Sequence, residues 1–313
     1  MLNFIARRLL ATIPVLGMVA LFVFLMLRLT PGDPAAVLAG DNATQEQIEG
    51  IRHQLGLDQP IYEQFVVWAG QLLQGDLGHS FYYKKPVTEL ISHRVEPTLS
   101  LAVVTLIMTI VIAVPLGVIA AYKHGSMIDR IVMGFSVLGF SVPVFVVGYL
   151  LIYIFAVELK WFPVQGYKSF TEGIWPYLQR LLLPGITLSV IYIALIARIT
   201  RASVLEILGE DYIRTAYAKG LTNRVVLMRH ALRNAAVPII TIIGIGIALL
   251  IGGVVVTESV FNIPGLGRLT VDAVLGRDYP TIQAVVLVFS FVYVVINLLI
   301  DLTYTLLDPR IRY

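Results

Sequence analysis

The side chains that most often carry catalytic chemistry are sparse in this sequence. Cysteine is absent from all 313 residues, which excludes disulfides, cysteine-ligated zinc, iron–sulfur clusters and a thiol nucleophile. The chain has no G-x-x-x-x-G-K-[ST] phosphate loop, no H-E-x-x-H helix and no G-x-S-x-G elbow. Metal-ligand spacing is missing among the five histidines, His53, His79, His93, His124 and His230. We therefore expect no catalytic residue, no metal site and no cofactor bound by this chain.

Two carboxylates stand inside or at the edge of long apolar stretches. Asp301 lies about one turn from the end of the last stretch, where it can reach the interface, pair with an arginine or serve a transport path. Glu258 ends the fifth stretch and is predicted to be solvated or at a gate. The glycines of that stretch either let helices pack closely or offer backbone to the path. The candidate residues of a translocation path are Gly244, Gly252, Gly253, Glu258 and Asp301.

The elements that position these residues are predicted to be membrane helices. Hydrophobic residues make up 58% of the chain, charged residues only 14%, and the mean hydropathy is +0.83. A bilayer is the natural solvent for so much apolar surface. The stretches long enough to span it are 9–28, 99–121, 131–157, 181–200, 236–257 and 283–305. We therefore predict an all-α polytopic membrane protein with six transmembrane helices, of which prolines 115, 143 and 184 kink the second, third and fourth.

Six spans place both termini on one side of the membrane. The first span is longer than the apolar part of a signal peptide and no A-x-A site follows it, so we interpret it as a retained helix. With both termini in the cytoplasm, the short inside segments carry more Lys and Arg than the longer outside segments. The loops at 122–130 and 201–235 are then predicted to face the cytoplasm.

The first outside segment, residues 29–98, is predicted to be partly helical. Thr44 and Gln47 form a capping box pattern for a helix that ends near Gly56. A second helix is predicted to begin near Pro60 and to stop at Gly75. The segment is acidic overall. It is either a cap over the helix bundle or a docking platform for an external partner.

The loop at 201–235 carries the most informative pattern. Gly220 separates a helical piece at Asp211–Lys219 from a second piece that begins after Thr222 and runs to about Ala236. On a helical wheel the second piece has an apolar side and a basic side. The apolar side holds Val225, Leu227, Met228, Ala231 and Leu232, and the basic side holds Arg229, His230 and Arg233. Such a helix either lies in the membrane interface or is held where a motor protein can push it.

This loop resembles the EAA loop of ABC importer permeases. Arg214-Thr215-Ala216 stands where the general pattern has Glu-Ala-Ala, Gly220 is the loop glycine, and Val237-Pro238 enters the next span. The missing glutamate and the longer spacing depart from the general pattern. Both are similar to the dipeptide/oligopeptide/nickel subfamily, whose Y-I-R-T-A-x-A-K-G form is present at 212–220. Further strings similar to that subfamily lie at 7–9, 31–34, 56–60, 75–80, 198–203, 261–267, 277–280 and 308–313.

The resemblance, to an OppB/DppB-like permease subunit, implies the type I ABC importer permease fold in a bacterial cytoplasmic (inner) membrane. It implies three kinds of protein partner besides the lipid bilayer, and no nucleic acid: a second homologous permease, two ABC ATPases that bind ATP and Mg, and an extracytoplasmic substrate-binding protein. Transport would proceed by alternating access. Coupling to the ATPase would fall on Arg214, Thr215, Ala216, Ala218, Lys219, Gly220, Val225, Met228, Arg229, Leu232 and Arg233.

The chain is predicted to consist of three segments. Residues 1–28 form the N-terminus and first helix, 29–98 the extracytoplasmic segment, and 99–313 a permease core of five helices. The resemblance implies di- and oligopeptides as the cargo, and glutathione and nickel chelates stay open. An ion-gradient-driven transporter is the main rival, but it usually needs several midplane carboxylates and an internal repeat. An intramembrane enzyme would need a catalytic pair within the spans, and a non-transporting scaffold would not require the Gly220 loop.

Overall fold

The computed structural model describes residues 2–29, 34–39, 43–54 and 56–307, which are mostly helical. Residues 31–33 of the predicted string at 31–34, the whole string at 308–313 and residue 55 lie outside the described residues. Two segments are π-helical, Ile152–Glu158 and Val226–Ala231, and a 3₁₀ turn covers Phe170–Glu172. The α-helices are α1 (Leu2–Leu29), α2 (Pro34–Ala39), α3 (Gln45–Gln54), α4 (Ile61–Leu73), α5 (Val87–Tyr122), α6 (Met127–Ser141), α7 (Val144–Leu151), α8 (Ile174–Leu208), α9 (Asp211–Ala218), α10 (Asn223–Val225), α11 (Leu232–Asn234), α12 (Ala236–Val260), α13 (Leu266–Leu275) and α14 (Tyr279–Leu307).

The predicted spans coincide with long apolar helices. Four of them lie in single continuous helices that are long enough to cross a bilayer, α5, α8, α12 and α14. The first lies in α1, whose apolar part is Leu10–Met26. Pro115 and Pro184 lie inside α5 and α8 without interrupting them. The all-α polytopic fold is therefore confirmed.

The third predicted span is broken rather than merely kinked. Between Ser141 and Val144 the chain turns by 104°, so that α6 and the α7 helix with its π-helical continuation form a bent pair. Val142 is extended, with φ −97° and ψ 124°, and Pro143 occupies the N-cap of α7. A proline disfavours helical backbone in the residue before it and has no N–H to donate, which explains a break at this position.

The chain divides into two compact units. The first comprises the residues up to Glu96 together with Arg268–Val294, and the second comprises Pro97–Gly267 together with the residues from Val295 on. Each unit has its own set of packed side chains.

In the first unit, the predicted helices after the first span are present. Thr44 N donates to Gln47 Oε1 at 2.9 Å and Gln47 N donates to Thr44 Oγ1 at 3.3 Å, so the predicted capping box starts α3. Pro60 is the N-cap of α4, and Gly75 follows its end with φ +82°. The Phe24 ring of α1, 1% exposed, packs 5.2 Å from Phe65 and 5.5 Å from Trp68. Aromatic contacts thus fix α4 on the end of α1.

In the second unit, α8 is the central helix. It contributes buried residues from Leu181 to Val204. A helix that is buried over most of its length needs apolar or small residues on several faces, and α8 has them. One buried cluster joins Leu188 and Tyr192 of α8 to Leu101 of α5 and to Leu250 and Val254 of α12.

Candidate coupling loop and translocation path

The segment after α8 folds as two short helical pieces that separate at Gly220, as predicted. α9 is the first piece, and Gly220 has φ +80°, a left-handed conformation that glycine adopts without strain. Thr222, at the N-cap position, has extended backbone. The second piece is residues 223–234, which we call the loop helix. It runs through α10, the π-helical segment and α11.

One face of the loop helix is buried against the rest of the second unit. Val226 and Ala231 are both fully buried. Val226 shares a buried cluster with Ile213 and Ala216 of α9. The cluster around Ala231 is formed by residues of α5, α8 and the start of α12: Val118, Ala121, Val204, Ala235 and Ile239. Small and apolar side chains therefore hold the loop helix to three long helices.

The other face of the loop helix is exposed. Met228 is 57% exposed and Val225 37%, and Arg229 and Arg233 are exposed beside them. Leu232 is half-buried. An exposed strip with both apolar and cationic side chains is free to meet a partner.

The helical wheel placed part of this surface wrongly. It put Ala231 on one face with Val225 and Met228, and it did not select Val226, which is as fully buried as Ala231. The wheel assumes a regular α-helix, whereas residues 226–231 form a π-helical turn with more residues per turn. The buried face is therefore shifted along the sequence.

The predicted residues of α9 divide between the core and the surface. Ala216 is buried at 6% exposure in the cluster with Val226, so it supports the loop from within. Arg214 is exposed and pairs with Asp211 at 3.1 Å. The Thr215 hydroxyl donates to the Asp211 carbonyl at 3.0 Å. The exposed predicted positions are Arg214, Thr215, Ala218, Lys219 and Gly220.

Two amide side chains anchor the ends of the loop helix, and the sequence analysis did not select them. Asn223 Nδ2 donates to the Tyr122 hydroxyl, at the end of α5, at 2.7 Å. Asn234 Nδ2 donates to the Tyr212 hydroxyl of α9 at 3.1 Å and to the His230 carbonyl at 2.7 Å. Each end of the loop helix is thus bonded to a different helix.

A buried ion pair ties the first turn of α6 to α8. The Asp129 side chain is 5% exposed and that of Arg201 18%. Arg201 Nη2 donates to Asp129 Oδ2 at 2.8 Å, Arg201 Nε donates to the other carboxylate oxygen, and Gly125 N donates to Oδ2 at 2.9 Å. His124 Nδ1 lies 2.9 Å from Arg201 Nη2. The only signal in the sequence was the string that contains Arg201. Nothing there indicated Asp129 as its partner.

The candidate glycines of the fifth span have different surroundings. A Cβ added at Gly244 would lie 2.6 Å from Ile300 Cδ1, and one at Gly253 would lie 2.7 Å from Leu188 Cδ1. These two glycines permit close helix packing. Gly252 is exposed, with no atom within 4 Å of an added Cβ. Asp301 is half-buried in α14. The participation of these residues in a path stays a prediction.

Glu258 is buried, which corrects the first of its two expected settings, a solvated one, whereas a place at a gate stays a prediction. Its exposure is 0%, and Thr98 Oγ1 donates to Glu258 Oε1 at 2.6 Å while accepting from Leu266 N at 2.8 Å. The chain after α12 wraps around the carboxylate. A Cβ added at Gly265 would lie 2.1 Å from Glu258 Oε1, and one at Gly267 would lie 2.6 Å from Val255 Cα. The string at 261–267 therefore serves to enclose this side chain.

Two of the other predicted strings meet in the first unit. The Ser80 hydroxyl donates to Asp278 Oδ2 at 2.5 Å and Phe81 N donates to Oδ1 at 2.9 Å. The Thr281 hydroxyl also donates to Oδ2, at 2.6 Å. Asp278 and Thr281 are fully buried. The strings at 75–80 and 277–280 thus form one hydrogen-bonded network across about 200 residues of sequence.

Family models match both parts of the chain. The family described as "Binding-protein-dependent transport system inner membrane component" matches residues 113–313, which include the loop helix, the Glu258 turn and four of the spans. The chain belongs to this family. The family described as "Binding-prot-dependent transport system membrane comp, N-term" matches residues 1–102. The predicted resemblance to an ABC importer permease is confirmed, and the permease is a multi-pass inner membrane protein.

Two curated relatives cover the permease from end to end. It is 56% identical over 310 residues to the "Probable peptide ABC transporter permease protein y4tP" of Sinorhizobium fredii, with 99% of each chain covered. It is 44% identical over 313 residues to the "Glutathione transport system permease protein GsiC" of Escherichia coli K12, with both chains covered completely.

A solved structure shares the fold of the permease. A chain of the MetNI methionine ABC transporter, in an inward facing conformation, aligns with a TM-score of 0.57 and 20% identity. The alignment covers 70% of the permease and 96% of that chain. At this identity the likeness concerns the fold alone.

Proposed function

We propose that this permease is one of two membrane subunits of an ATP-driven ABC importer, and that it forms half of a translocation path for short peptides. Two ATPases on the cytoplasmic side would supply the energy and hold the ATP and Mg. An external binding protein would deliver the peptide. The two permeases would then alternate between outward and inward openings.

The loop helix is the observation that carries this proposal. Its inner face is packed against α5, α8 and α12, and its outer face presents Met228, Val225 and two arginines. A short helix with exposed apolar anchors is suited to a groove on a partner protein. Because its other face is fixed to three long helices, a push on the loop helix would move those helices.

The same proposal says which side of the membrane each segment faces and which residues move. The termini and the 201–235 segment face the cytoplasm, and residues 29–98 lie outside, where the binding protein docks. Residues 99–313 form the core that moves. The path runs past the exposed side of α12 at Gly252, the candidate glycine with open space beside it.

The cargo is inferred from the relatives. The relative with 56% identity carries "peptide" in its name, and the match extends over almost the whole of both chains. Glutathione is the second candidate, because the relatives with that cargo in their name are also matched from end to end, at 44% identity. Glutathione is itself a small peptide, so one path could admit both.

The coupling role is tested by a charge placed on the exposed face of the loop helix. In vesicles that hold the full importer, Met228→Asp is expected to lower ATP-dependent uptake of a labelled dipeptide at least about tenfold, because an interface anchor would be lost. Met228→Leu keeps an apolar anchor and is the matched control. It is expected to stay within about twofold of the parent.

Membrane insertion and assembly are measured on the same samples. Normal insertion of Met228→Asp with reduced recovery of the ATPases would support the coupling role. Undiminished ATP-dependent uptake by Met228→Asp would contradict the coupling role of this face, whereas uptake that needs an ion gradient and no ATP would favour a gradient-driven transporter. Competition of the labelled dipeptide by tripeptides, glutathione or a nickel chelate then identifies the cargo class.

The orientation can be tested directly, because the chain has no cysteine to remove. Single cysteines at Met228 and at Tyr82, both exposed, are treated with a membrane-impermeant maleimide on intact cells. Labelling at 82 and not at 228 is expected. The reverse pattern would overturn the assignment of both termini to the cytoplasm.

A further inference from the structure

The first unit contains a cavity of about 740 Å³ to which the proposed function assigns no role. Its walls come from the end of α1, from α4, from residues 76–81 and from the start of α14. In the proposed orientation all of these lie at the outer end of the membrane helices. The cavity is large enough for a ligand of a few hundred Å³, the size of a drug-sized molecule or a short peptide.

Arg28 supplies a fixed cation at the cavity wall. Its Nε donates to Gln64 Oε1 at 3.0 Å, and its guanidinium lies 3.9 Å from the centre of the Phe24 ring. Gln64 is itself held by donation to the Leu57 and Gln59 carbonyls, at 3.3 and 2.9 Å. None of the ion pairs in the described part of the chain uses Arg28, so its remaining N–H groups are available to a carboxylate.

Gln283 adds a buried amide to the same cavity. Its side chain is 8% exposed, and its Nε2 has no hydrogen-bond partner among the described residues. A buried donor without an acceptor is unfavourable, and buried polar groups in folded proteins are nearly always bonded. A carbonyl or carboxylate oxygen of a ligand would satisfy this amide.

The remaining chemistry of the cavity selects the class of ligand. The carboxylates of Glu63 and Asp76 line it together with Arg28 and two histidines. Leaving the histidines aside, the cavity wall therefore carries two negative charges and one positive charge. A plain anion such as phosphate would meet net repulsion there. Trp68, Phe81 and Tyr279 add aromatic walls. A ligand with a carboxylate, an ammonium group, amide carbonyls and apolar side chains matches all three sets of groups.

We propose that this cavity binds a short zwitterionic peptide on the outer side of the permease. The carboxylate of the peptide would bind Arg28, its ammonium group would bind Glu63 or Asp76, and Gln283 would donate to a peptide oxygen. The choice of cargo rests on the proposed function. The aromatic walls and the volume fit peptide side chains better than a phosphoethanolamine headgroup, which carries the same two charges but has no side group between them to meet those walls.

The full chain in lipid nanodiscs offers a direct readout through Trp68. The sequence has three tryptophans, and Trp161 and Trp175 are 60% and 66% exposed, so Trp161→Phe and Trp175→Phe should leave Trp68 as the single reporter. Addition of the dipeptide Ala-Phe is expected to change the Trp68 emission and to saturate. N-acetyl-Ala-Phe-amide, which lacks both charges, is expected to bind at least about tenfold more weakly.

Two variants and a matched control assign the contacts. Arg28→Gln is expected to weaken Ala-Phe binding at least about tenfold, and Gln283→Leu about fivefold. Lys84→Gln removes one positive charge from an exposed site of the same unit that does not line the cavity, and it should leave binding unchanged. Gel filtration of each sample verifies that the protein is folded. Equal affinity of the folded Arg28→Gln and Lys84→Gln proteins would overturn the proposal.

The lipid arm uses nanodiscs with and without phosphatidylethanolamine. If that lipid changes the Trp68 emission and Ala-Phe does not, the cavity is a headgroup site and the proposal is wrong. Uptake by the full importer with its binding protein is measured separately. Peptide uptake without any change in the Trp68 emission would refute peptide binding in the cavity and leave the proposed function intact. Saturable binding without any peptide uptake would refute the proposed function instead.

Discussion

The loop helix and the turn after α12 are both short segments held against the ends of membrane helices, yet they are held in opposite ways. The loop helix rests on small apolar side chains such as Val226 and Ala231 and keeps a second face exposed. The turn after α12 closes on a carboxylate, Glu258, that is fully buried and bonded to Thr98. The first arrangement leaves a surface for a partner, and the second leaves none.

This difference shows how a binding surface can be told apart from a closed internal contact in one chain. We call such a contact, here the turn around Glu258, a structural lock. A lock satisfies its polar groups internally, so glycine at 265 and 267 matters for close approach. A binding surface keeps apolar and cationic groups that no described part of its own chain covers, such as Met228 and Arg229. Substitutions should therefore affect stability at the first region and transport at the second.

The largest loss of stability is expected from Gly265→Ala. The added Cβ would lie 2.1 Å from Glu258 Oε1, and the buried carboxylate cannot move away without breaking its bond to Thr98. We expect a cost of at least about 3 kcal/mol, seen as a sharply lower melting temperature in detergent.

Gly252→Ala is the control for this prediction. It places the same methyl group in open space on α12, and it should stabilise the helix slightly or leave it unchanged. If both variants melt like the parent, Glu258 is not locked by the turn, and the contrast between the two regions would fail.

The second effect is expected at Asp278, a buried carboxylate in the first unit. Asp278→Asn replaces one of two acceptor oxygens with a donor, while Ser80, Thr281 and Phe81 N all donate to this side chain. We expect a loss of about 2–3 kcal/mol. Asp272→Asn changes a carboxylate that is 33% exposed and should cost less. Equal melting temperatures would show that the Asp278 network contributes nothing specific.

Much of the fold was predictable because helices in a bilayer must satisfy their backbone internally. Apolar stretches of about 20 residues gave the spans, and the Thr44–Gln47 and Pro60 patterns gave α3 and α4. The break at Pro143 was predicted only as a kink, because the sequence does not show what would occupy the space beside a straight helix. Pro115 and Pro184 have the same local chemistry but sit in unbroken helices.

The residue pairs that meet in the sites were less predictable than the helices, for a physical reason. Partners such as Asp129 with Arg201, or Ser80 with Asp278, are far apart in sequence, and no local period links them. Glu258 looked solvated because it ends an apolar stretch, yet its turn folds back and covers it. The loop helix was located correctly, but a π-helical turn shifted its buried face onto Val226.

That shift can be tested by a matched pair of substitutions. Val226→Thr places a hydroxyl of similar shape at a fully buried site, and Val225→Thr does the same at a site that is 37% exposed. We expect Val226→Thr to cost about 1–2 kcal/mol and Val225→Thr to cost little. Melting temperatures in detergent measure both. A larger loss for Val225→Thr would mean that the helical wheel was right and that the π-helical register is wrong.

The smallest effect is expected at an exposed ion pair, which belongs to neither kind of region. Lys168 Nζ donates to Glu172 Oε2 at 2.9 Å, and this bond, with a further one from Ser169 N, holds the pKa of the Glu172 carboxyl below its ordinary value. A lowered pKa in the folded state favours folding above the ordinary pKa, and this contribution disappears as the pH falls through the folded value. Lys168→Gln should therefore raise the Glu172 pKa while melting and uptake at neutral pH stay unchanged, since the carboxyl remains ionised there. A titration of the labelled Glu172 carboxyl between about pH 2 and 6 measures the shift. A marked loss of melting temperature at neutral pH would show that this exposed pair acts as a lock, so exposure would no longer separate the two kinds of region.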